Sequence, residues 1–412
     1  MKRLILSIAV LLSFVTAAHA RDVHDIGRPF GWAVCTSLDG GDYALSGGAE
    51  DASKGVEGRS VTLTAAPDGK DMRDAIKNAV RKYDIVILDG SAGDFPISRT
   101  IELKDVRNKT IVGINGARMC SVFEWTGNLR VALSDIDRRL REGDYPPPQD
   151  GWFMLPNGRK VSEAVEYVPR KILLEVIGDP EEPYRSSGVF AMEGCENIII
   201  RNLDLVGPGS LDVGGDPQLR LTAGTKHVWI DHCRFTDAIK THVAIGRQSD
   251  FITFSWCEFF FTDKSIDHNL STLIASSDNA PKERGYLNVT YAWCRWGQGN
   301  HARVPMARYG HIHCLNNYYD CVGTMGINPR AESTFLVEGN WFEDGVKAFC
   351  TKFLEKHVPD AYVFRDNRYG TDDPVPQKGE VTMPYRYKVA SPKQARKAVL
   401  KWCGPVLTDP LK

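Results

Sequence analysis

The sequence predicts an all-β solenoid of parallel strands, with a helix covering its N-terminal end and a partly helical insertion on its side. The first observation is a short strand-like motif that recurs from residue 195 onward, every twenty-odd to thirty-odd residues. A period in this range, with one short β segment in each copy, is typical of repeat architectures. The second observation is that the repeated segments are apolar on both faces, which favours parallel strands over an antiparallel sandwich.

The repeat is clearest in six segments, which cover residues 200–205, 230–235, 254–259, 291–296, 315–319 and 338–342. One column of the aligned segments contains small, apolar or amide side chains, namely Leu203, Cys233, Cys257, Cys294, Asn317 and Asn340. An apolar or aromatic residue follows two positions later in every copy. We expect this column to fill the interior, with the asparagines bonding the backbone at turns and forming a ladder. A propeller is the alternative, but the units are too short to hold four strands each.

The ten cysteines include no CxxC pair, so a thioredoxin-like site or a zinc site has little support. Three of the cysteines, Cys233, Cys257 and Cys294, lie in the interior column. We therefore expect buried reduced thiols at these positions rather than disulfide partners.

The elements before the repeat are predicted from periodicity. Residues Asp71 to Tyr83 show helical spacing of apolar residues and are expected to cap the open end of the solenoid. Strands are expected at Ile85 to Gly90 and shortly afterwards. Residues 121–190 break the pattern, and we interpret them as an insertion packed on the side of the main body; a separate small domain is the alternative.

The first twenty residues have the features of a secretory signal peptide. A positive start precedes an apolar stretch from Leu4 to Val15, and Ala18-His19-Ala20 matches a cleavage pattern. Residues 1–20 are therefore expected to be removed, leaving 21–412 as one secreted or periplasmic domain. No later segment has eighteen consecutive apolar residues, so we expect a soluble mature chain.

The net charge gives no general attraction to nucleic acid or membrane. The formal value of −1 becomes −1 − 2 = −3 when Lys2 and Arg3 are removed with the leader. A polyanionic partner would therefore have to meet a local basic cluster.

Several segments, in order, resemble polysaccharide lyase family 1, the pectate and pectin lyases. These segments are Val228-Trp229-Ile230-Asp231-His232-Cys233, Ser249 to Trp256, Leu273-Ile274-Ala275-Ser276-Ser277-Asp278, Arg303-Val304-Pro305-Met306-Ala307-Arg308-Tyr309-Gly310, His313 to Tyr318 and Val337 to Phe342. The resemblance implies a right-handed parallel β-helix, in agreement with the repeat. It also implies β-elimination on an acidic polysaccharide such as polygalacturonate or pectin, by a chain expected to act as a monomer.

The resemblance assigns roles to two arginines. The first arginine of the R-x-P-x-x-R motif, here Arg303, corresponds to the family's base, and Arg308 is expected to hold a carboxylate or to support the site. A guanidinium normally stays protonated, because its pKa lies above about 12. Other cations in a partly dry groove would lower that value, and Lys240, Lys264 and Arg308 are the candidates.

The calcium site is where the sequence departs from the family. The resemblance implies Ca²⁺ as a cofactor, with Asp231 as one ligand, but the two following acidic positions hold Lys240 and Ala244. One carboxylate makes a poor calcium site, although Asp237 or Asp263 is close enough in sequence to contribute. Either Lys240 supplies the missing positive charge, or the catalytic site is lost and the chain only binds polysaccharide.

Further substrate contacts are expected at Lys264 and His268, because the lysine that precedes the family's L-I-G-S-S-D stretch is absent here. Trp296, Tyr309 and Trp341 are candidate platforms for sugar rings. A polygalacturonase-type hydrolase ranks third among the functions. It needs a pair of carboxylates, and strands 230–320 offer no compact aspartate pair followed by His-Gly.

Overall fold

The computed structural model contains three parallel sheets wound along one axis. It describes residues 27–411 except 49, 52–55, 58, 67, 124–131, 133–134, 178–186, 211–214, 266–268, 322, 351, 353 and 355. The predicted signal peptide and His268 therefore lie outside the described residues. Successive turns of the chain contribute strands to these sheets in order, so the predicted parallel β-helix is confirmed.

The ten-stranded sheet runs through Ser60–Thr64, Ile85–Asp89, Arg107–Ile114, Glu196–Arg201, Lys226–Asp231, Asp250–Ser255, Val289–Ala292, His311–Leu315, Thr334–Glu338 and Ala361–Arg365. The eight-stranded sheet consists of Phe95–Ile97, Arg118–Ser121, Asp204–Val206, Arg234–Thr236, Glu258–Phe260, Arg295–Trp296, Tyr318–Tyr319 and Trp341–Phe342. The seven-stranded sheet consists of Ile101–Lys104, Phe190–Glu193, Leu219–Thr222, Thr241–Ile245, Leu270–Ile274, Met306–Ala307 and Asn328–Pro329.

The remaining described elements cover the ends and sides of the coil. The helices are Arg73–Lys82, Ile136–Glu142, Ala164–Ile177 and Pro392–Trp402, and single 3₁₀ turns lie at Gly31–Val34, Gly90–Ala92 and Pro281–Glu283. Two antiparallel pairs join Glu50–Asp51 to Val56–Glu57 and Phe153–Met154 to Lys160–Val161.

The N-terminal cap is confirmed. Helix Arg73–Lys82 buries Ile76 and Val80 completely against the first turns of the coil, as the periodicity predicted. Within the stretch 121–190, the described residues have a small apolar cluster of their own, which includes Phe153, Tyr167 and Ile172 and lies apart from the main core.

The interior is built from columns of like side chains, because parallel strands in register bring equivalent positions of successive turns together. Five aromatic rings stack in one column along the eight-stranded sheet, with centroids 4.5–5.2 Å apart, in the order Phe235, Phe259, Trp296, Tyr319 and Phe342. These are the residues two positions after the predicted interior column. Stacking of this kind contributes to stability beyond the burial of apolar area.

The interior column itself also agrees with the prediction. Cys233, Cys257 and Cys294 are fully buried free thiols. The asparagines form a ladder, in which the Oδ1 atoms of Asn317 and Asn340 accept from the backbone N–H groups of Cys294 and Asn317, at 2.8 Å each. Each turn is thereby fixed to the next by a buried hydrogen bond.

Both terminal segments pack on the outer face of the ten-stranded sheet. The backbone N–H of Trp32 donates to Thr290 Oγ1, which lies 2.8 Å from the Tyr385 hydroxyl. That hydroxyl lies 2.7 Å from His313 Nδ1. The outer face of the ten-stranded sheet is therefore covered by protein at these positions.

Candidate functional site

The candidate site lies along the edge where the chain enters the seven-stranded sheet. Lys240 immediately precedes strand Thr241–Ile245, Lys264 lies in the loop before Leu270–Ile274, and Arg303 lies three residues before Met306–Ala307. These three strands are consecutive neighbours in the sheet. We call Lys240, Lys264 and Arg303 the basic corner.

Arg303 is half-buried, and its backbone is tied to the preceding turn. Its carbonyl oxygen accepts from the backbone N–H of Thr272 at 2.8 Å and lies 3.3 Å from the hydroxyl of the same residue. The φ of Arg303 is +61°, a value uncommon for a residue other than glycine. The backbone of Arg303, from which the side chain extends, is thus held in place at the edge of the sheet. Adjacent strands are about 4.8 Å apart, so Lys240, two turns away, starts about 10 Å from it.

Lys240 lies beside a carboxylate that the sequence analysis did not identify. Leu219 pairs with Val243, and continuing that register places Asp216 next to Lys240. Asp216 Oδ2 accepts from the Thr100 hydroxyl at 2.9 Å. Burial raises the pKa of Asp216, while the positive charges of Arg220 and Lys240 act in the opposite direction. Asp216 lies three residues before Leu219, just as Lys240 lies three residues before Val243, the register partner of Leu219. Asp216 could have been found from the sequence only through this equal spacing.

Ala244 lies on the outer face of strand Thr241–Ile245, which Lys240 precedes, and is in register with Arg220 on one side and Leu273 on the other. Lys240 and Ala244 thus present a cation and a methyl group at this part of the sheet.

Lys264 is positioned by a well-connected loop. Its Nζ donates to the carbonyl oxygen of Gly207 at 3.3 Å. The loop is held by the buried Asp237, which accepts from the backbone N–H and hydroxyl of Thr262 and from the hydroxyl of Ser265. The carboxylate oxygens of Asp237 therefore accept hydrogen bonds within the loop, and Asp263 is exposed on the surface of the loop. His268, which was predicted to contact substrate, belongs to the undescribed residues 266–268.

Arg308 lies at the opposite end of the short strand from Arg303 and holds a protein carboxylate. Its Nε donates to Asp278 at 2.7 Å, its Nη1 donates to the Ala275 carbonyl oxygen at 2.7 Å, and only 8% of its side chain is exposed. Arg330 donates to the same carboxylate at 2.7 and 3.0 Å. Burial opposes ionisation of Asp278, but the two guanidinium groups hold its pKa below the usual value. Two roles were expected for Arg308, to hold a carboxylate or to support the site. This geometry favours the supporting role.

Asp231 requires a correction. It is fully buried on the outer face of the ten-stranded sheet, beneath the C-terminal segment, and not on the seven-stranded sheet. One oxygen accepts from Ser255 at 2.6 Å, and the other accepts from Arg201 Nε at 2.9 Å and lies 2.7 Å from His232 Nδ1. With both oxygens occupied and no access to solvent, Asp231 does not fit the role of a metal ligand beside Lys240.

The aromatic platforms also need correction. Trp296 belongs to the interior ring column and is fully buried. Tyr309 is 5% exposed, and its hydroxyl donates to the backbone carbonyl of Asp278. Trp341 lies on the eight-stranded sheet between the guanidinium groups of Arg368 and Arg396. None of the three rings presents a free face to the basic corner.

The donor set around Lys240 does not suit calcium. Ca²⁺ takes six to eight oxygen ligands, several of them carboxylate, whereas here the buried Asp216 stands with the cations Arg220 and Lys240 and the exposed Glu102. Across the described ranges, no group of three or more His, Cys, Asp or Glu side chains is placed to hold a metal ion. We therefore assign no catalytic step to a metal.

The protein is thus a parallel β-helix with an arginine and two lysines along one edge of one sheet. The family model described as pectate lyase matches residues 176–383. The chain therefore belongs to the pectate lyase family, whose members act on polysaccharide as carbon–oxygen lyases.

Among curated relatives, pectate lyase A of Emericella nidulans is 29% identical over 259 residues, which cover 60% of this chain and 73% of that one. Pectate lyase B of Colletotrichum gloeosporioides is 30% identical over 223 residues, which cover 52% of this chain and 63% of the relative.

Among solved structures, a Bacillus pectate lyase in complex with trigalacturonate superimposes with a TM-score of 0.56 at 17% identity, covering 92% of this chain and 98% of that one. The cedar pollen allergen jun a 1 gives a TM-score of 0.55 at 16% identity, covering 88% and 93% of the two chains. These likenesses support the fold.

Proposed function

We propose that this protein cleaves homogalacturonan or pectin by β-elimination, with Arg303 as the base and with Lys240 in place of calcium. The observation that carries the proposal is the basic corner, where three successive turns bring Lys240, Lys264 and Arg303 to one edge of the sheet. Relatives named as pectate lyases, and a structural neighbour crystallised with trigalacturonate, support the same substrate class.

The reaction needs a base and a neutralised carboxylate. Neutral Arg303 takes the proton from C5 of the uronate, and the C–H electron pair forms the C4–C5 double bond. The C4–O4 bond breaks with its electron pair on O4, which takes up a proton as it leaves. The ammonium of Lys240 offsets the negative charge that develops on the uronate carboxylate. The positive charges of Lys240 and Lys264 disfavour the charged form of a neighbouring guanidinium.

The test measures unsaturated product by its ultraviolet absorbance. We expect Arg303→Ala to lower the rate by about 10²- to 10⁴-fold, the usual contribution of a general base. Arg303→Lys keeps the charge and would rescue a purely structural role, but not the role of a base in this geometry. Arg107→Ala, which removes an exposed arginine of the ten-stranded sheet paired with Glu196, is the matched control and should leave the rate unchanged.

The same assay separates the other two functions. A hydrolase would release reducing ends without unsaturated product, and a binding protein would release neither. A wild-type rate in Arg303→Ala would contradict the assignment of the base. Export to the periplasm or the medium is part of this proposal and rests on the leader-like residues 1–20; cell fractionation with N-terminal sequencing of the exported chain tests it.

A further inference from the structure

The hairpin of the insertion has one face that is buried and one that is exposed. Met154 is in register with Lys160 across the antiparallel pair. Phe153 and Val161 are buried in the small apolar cluster of the insertion, so the alternation of the strands directs Met154 and Lys160 to the other side. Trp152, two residues before Met154, lies on that side as well. We call Trp152, Met154 and Lys160 the hairpin face.

Trp152 combines an exposed side chain with a fixed backbone. It is 46% exposed and Met154 is 50% exposed, whereas the other tryptophans in the described ranges are buried or half-buried. The backbone N–H of Trp152 donates to the Gln149 carbonyl oxygen at 2.9 Å, and the Trp152 carbonyl oxygen accepts from the Gln149 N–H at 2.8 Å. A large ring on a fixed backbone loses little conformational entropy when it binds a partner.

The insertion leaves the coil at the edge where the basic corner lies. Residues 122–189 connect strand Arg118–Ser121 of the eight-stranded sheet to strand Phe190–Glu193 of the seven-stranded sheet. The connections that hold the basic corner join the same two sheets in the same direction. Phe190–Glu193 is two strands from Thr241–Ile245, about 10 Å at ordinary spacing. A polymer that extends from the basic corner towards the earlier turns therefore reaches the turn from which the insertion emerges.

The chemistry of the hairpin face suits a sugar ring better than a purely charged partner. The faces of a pyranose ring consist of C–H groups, which pack on an aromatic ring and a thioether. Within residues 150–163, the charges of Arg159 and Lys160 are balanced by those of Asp150 and Glu163. Binding to this face should therefore come mainly from stacking and depend only weakly on salt.

We propose that the hairpin face is an accessory binding site for the sugar rings of the pectic polymer, with Trp152 as the stacking platform. Platforms were expected at Trp296, Tyr309 and Trp341, whose rings contact other groups of the protein instead. The inference rests on the proposed function, because that function brings the polymer to the basic corner. It gives the insertion a role in holding long chains and none in the elimination step.

The experiment measures retardation in native gels that contain polygalacturonate, with every variant built on Arg303→Ala so that the polymer is not cut. Trp152→Ala should weaken the affinity about 5- to 30-fold, as for loss of an aromatic anchor. The loss should be the same at low and at high salt, and Trp152→Phe should retain most of the affinity because a ring remains.

Tyr286→Ala is the matched control. Tyr286 is also an exposed aromatic residue, 38% exposed, but it lies in the connection that leaves the seven-stranded sheet at the other edge. Its loss should change the affinity by less than about twofold. Unchanged retardation in folded Trp152→Ala, an equal loss in Tyr286→Ala, or no retardation of any variant would overturn the inference. If Trp152→Ala does not fold, Trp152→Gln takes its place, with the same outcomes.

Sedimentation velocity tests a second copy of the chain as the occupant of the hairpin face. We expect the same sedimentation coefficient for the wild type and Trp152→Ala. A wild-type dimer that Trp152→Ala dissociates would identify the face as an interface between copies and would reject the sugar site.

The gel measurement also keeps the two proposals apart. Retardation that depends on Trp152, without unsaturated product from the wild type on any pectic polymer, would reject the lyase and retain the accessory site. Lyase activity with an affinity that does not depend on Trp152 would reject the accessory site and retain the lyase.

Discussion

Single residues on the seven-stranded sheet divide into those that face the basic corner and those that support it. Arg308 is a supporting residue, because its N–H groups donate to Asp278 and to the backbone carbonyl of Ala275. Arg330 adds a second guanidinium to the same carboxylate, and burial and the like charge of Arg308 lower the pKa of Arg330. The pair is stable only while Asp278 carries its negative charge.

Replacement of Asp278 by asparagine should therefore destabilise the fold. The substitution leaves two largely buried guanidinium groups side by side without an anion, and breaking a buried pair in this way costs about 3–5 kcal/mol. Because about a fifth of the Asp278 side chain is exposed, we expect about 2–4 kcal/mol in urea unfolding at neutral pH.

The control for this substitution is Asp94→Asn. Asp94 forms an exposed pair with Arg118, both side chains being more than 40% exposed, and loss of such a pair costs less than about 1 kcal/mol. Equal stability of Asp278→Asn and wild type would show that Arg308 and Arg330 have other acceptors.

A residue of the candidate site could be predicted from the sequence where a motif gives its position, but not where only packing determines that position. Arg303 and Lys240 could be named as candidates because the motif and its spacing give their positions. Asp216 and Arg220 were missed, since the strand Leu219–Thr222 has no motif and its outward positions are defined only by the register with Thr241–Ile245. Asp231 was misplaced because sequence gives the order of residues along a turn but not which sheet faces the substrate.

At the level of elements, the strands are fixed to each other by buried polar ladders as well as by the core. The best example is the fully buried pair His313 and Glu338 on adjacent strands of the ten-stranded sheet, 3.0 Å apart. Burial alone would raise the pKa of Glu338, but hydrogen bonds from His313, Tyr387 and Arg365 outweigh it and lower the pKa to about 2. The C-terminal segment is held on the sheet through this carboxylate.

The direction of the pKa shift of Glu338 determines how the stability of the fold depends on pH. The pKa of Glu338 is lower in the folded chain than the ordinary 4.5, so its contribution is fully present above pH 4.5 and is lost as pH falls towards 2. The difference corresponds to about 3 kcal/mol. We expect Glu338→Gln to lose about that much at pH 7 and clearly less at pH 3, measured by urea unfolding at both values.

The comparison residue for this prediction is Glu332, which forms an exposed ion pair with Arg284. Glu332→Gln should change stability by less than about 1 kcal/mol at either pH. A loss for Glu338→Gln that is the same at pH 3 and pH 7 would contradict the account of the buried carboxylate.

The elements themselves were predictable to different degrees. The capping helix was read correctly because its apolar residues follow the 3.6-residue period of a helix, and the interior column was read correctly because the repeated segments could be aligned with each other. Helix Ala164–Ile177 was not predicted as one element; it contains Pro169, which reads in sequence as a break. The cover that the two termini form on the ten-stranded sheet depends on contacts such as Trp32 with Thr290, 258 residues apart, and no local pattern carries them.

At the scale of the whole molecule, the winding of the chain converts a period in sequence into a row of equivalent positions on one face. Strands of successive turns lie about 4.8 Å apart, so charges about thirty residues apart in sequence lie close together on one face. In this chain Lys240, Ala244 and Arg220 are neighbours on this face. Lys240 and Arg220, which stand near Asp216 and Glu102, carry their positive charges without a metal, so a chelator should not remove those charges.

The most direct test of this account is the initial rate of unsaturated product formation by the wild-type protein on polygalacturonate, measured with and without an excess of a calcium chelator. The account predicts the same rate, within about twofold, under both conditions. Activity that disappears with the chelator and returns on addition of Ca²⁺ would contradict the claim that Lys240 takes the place of the metal.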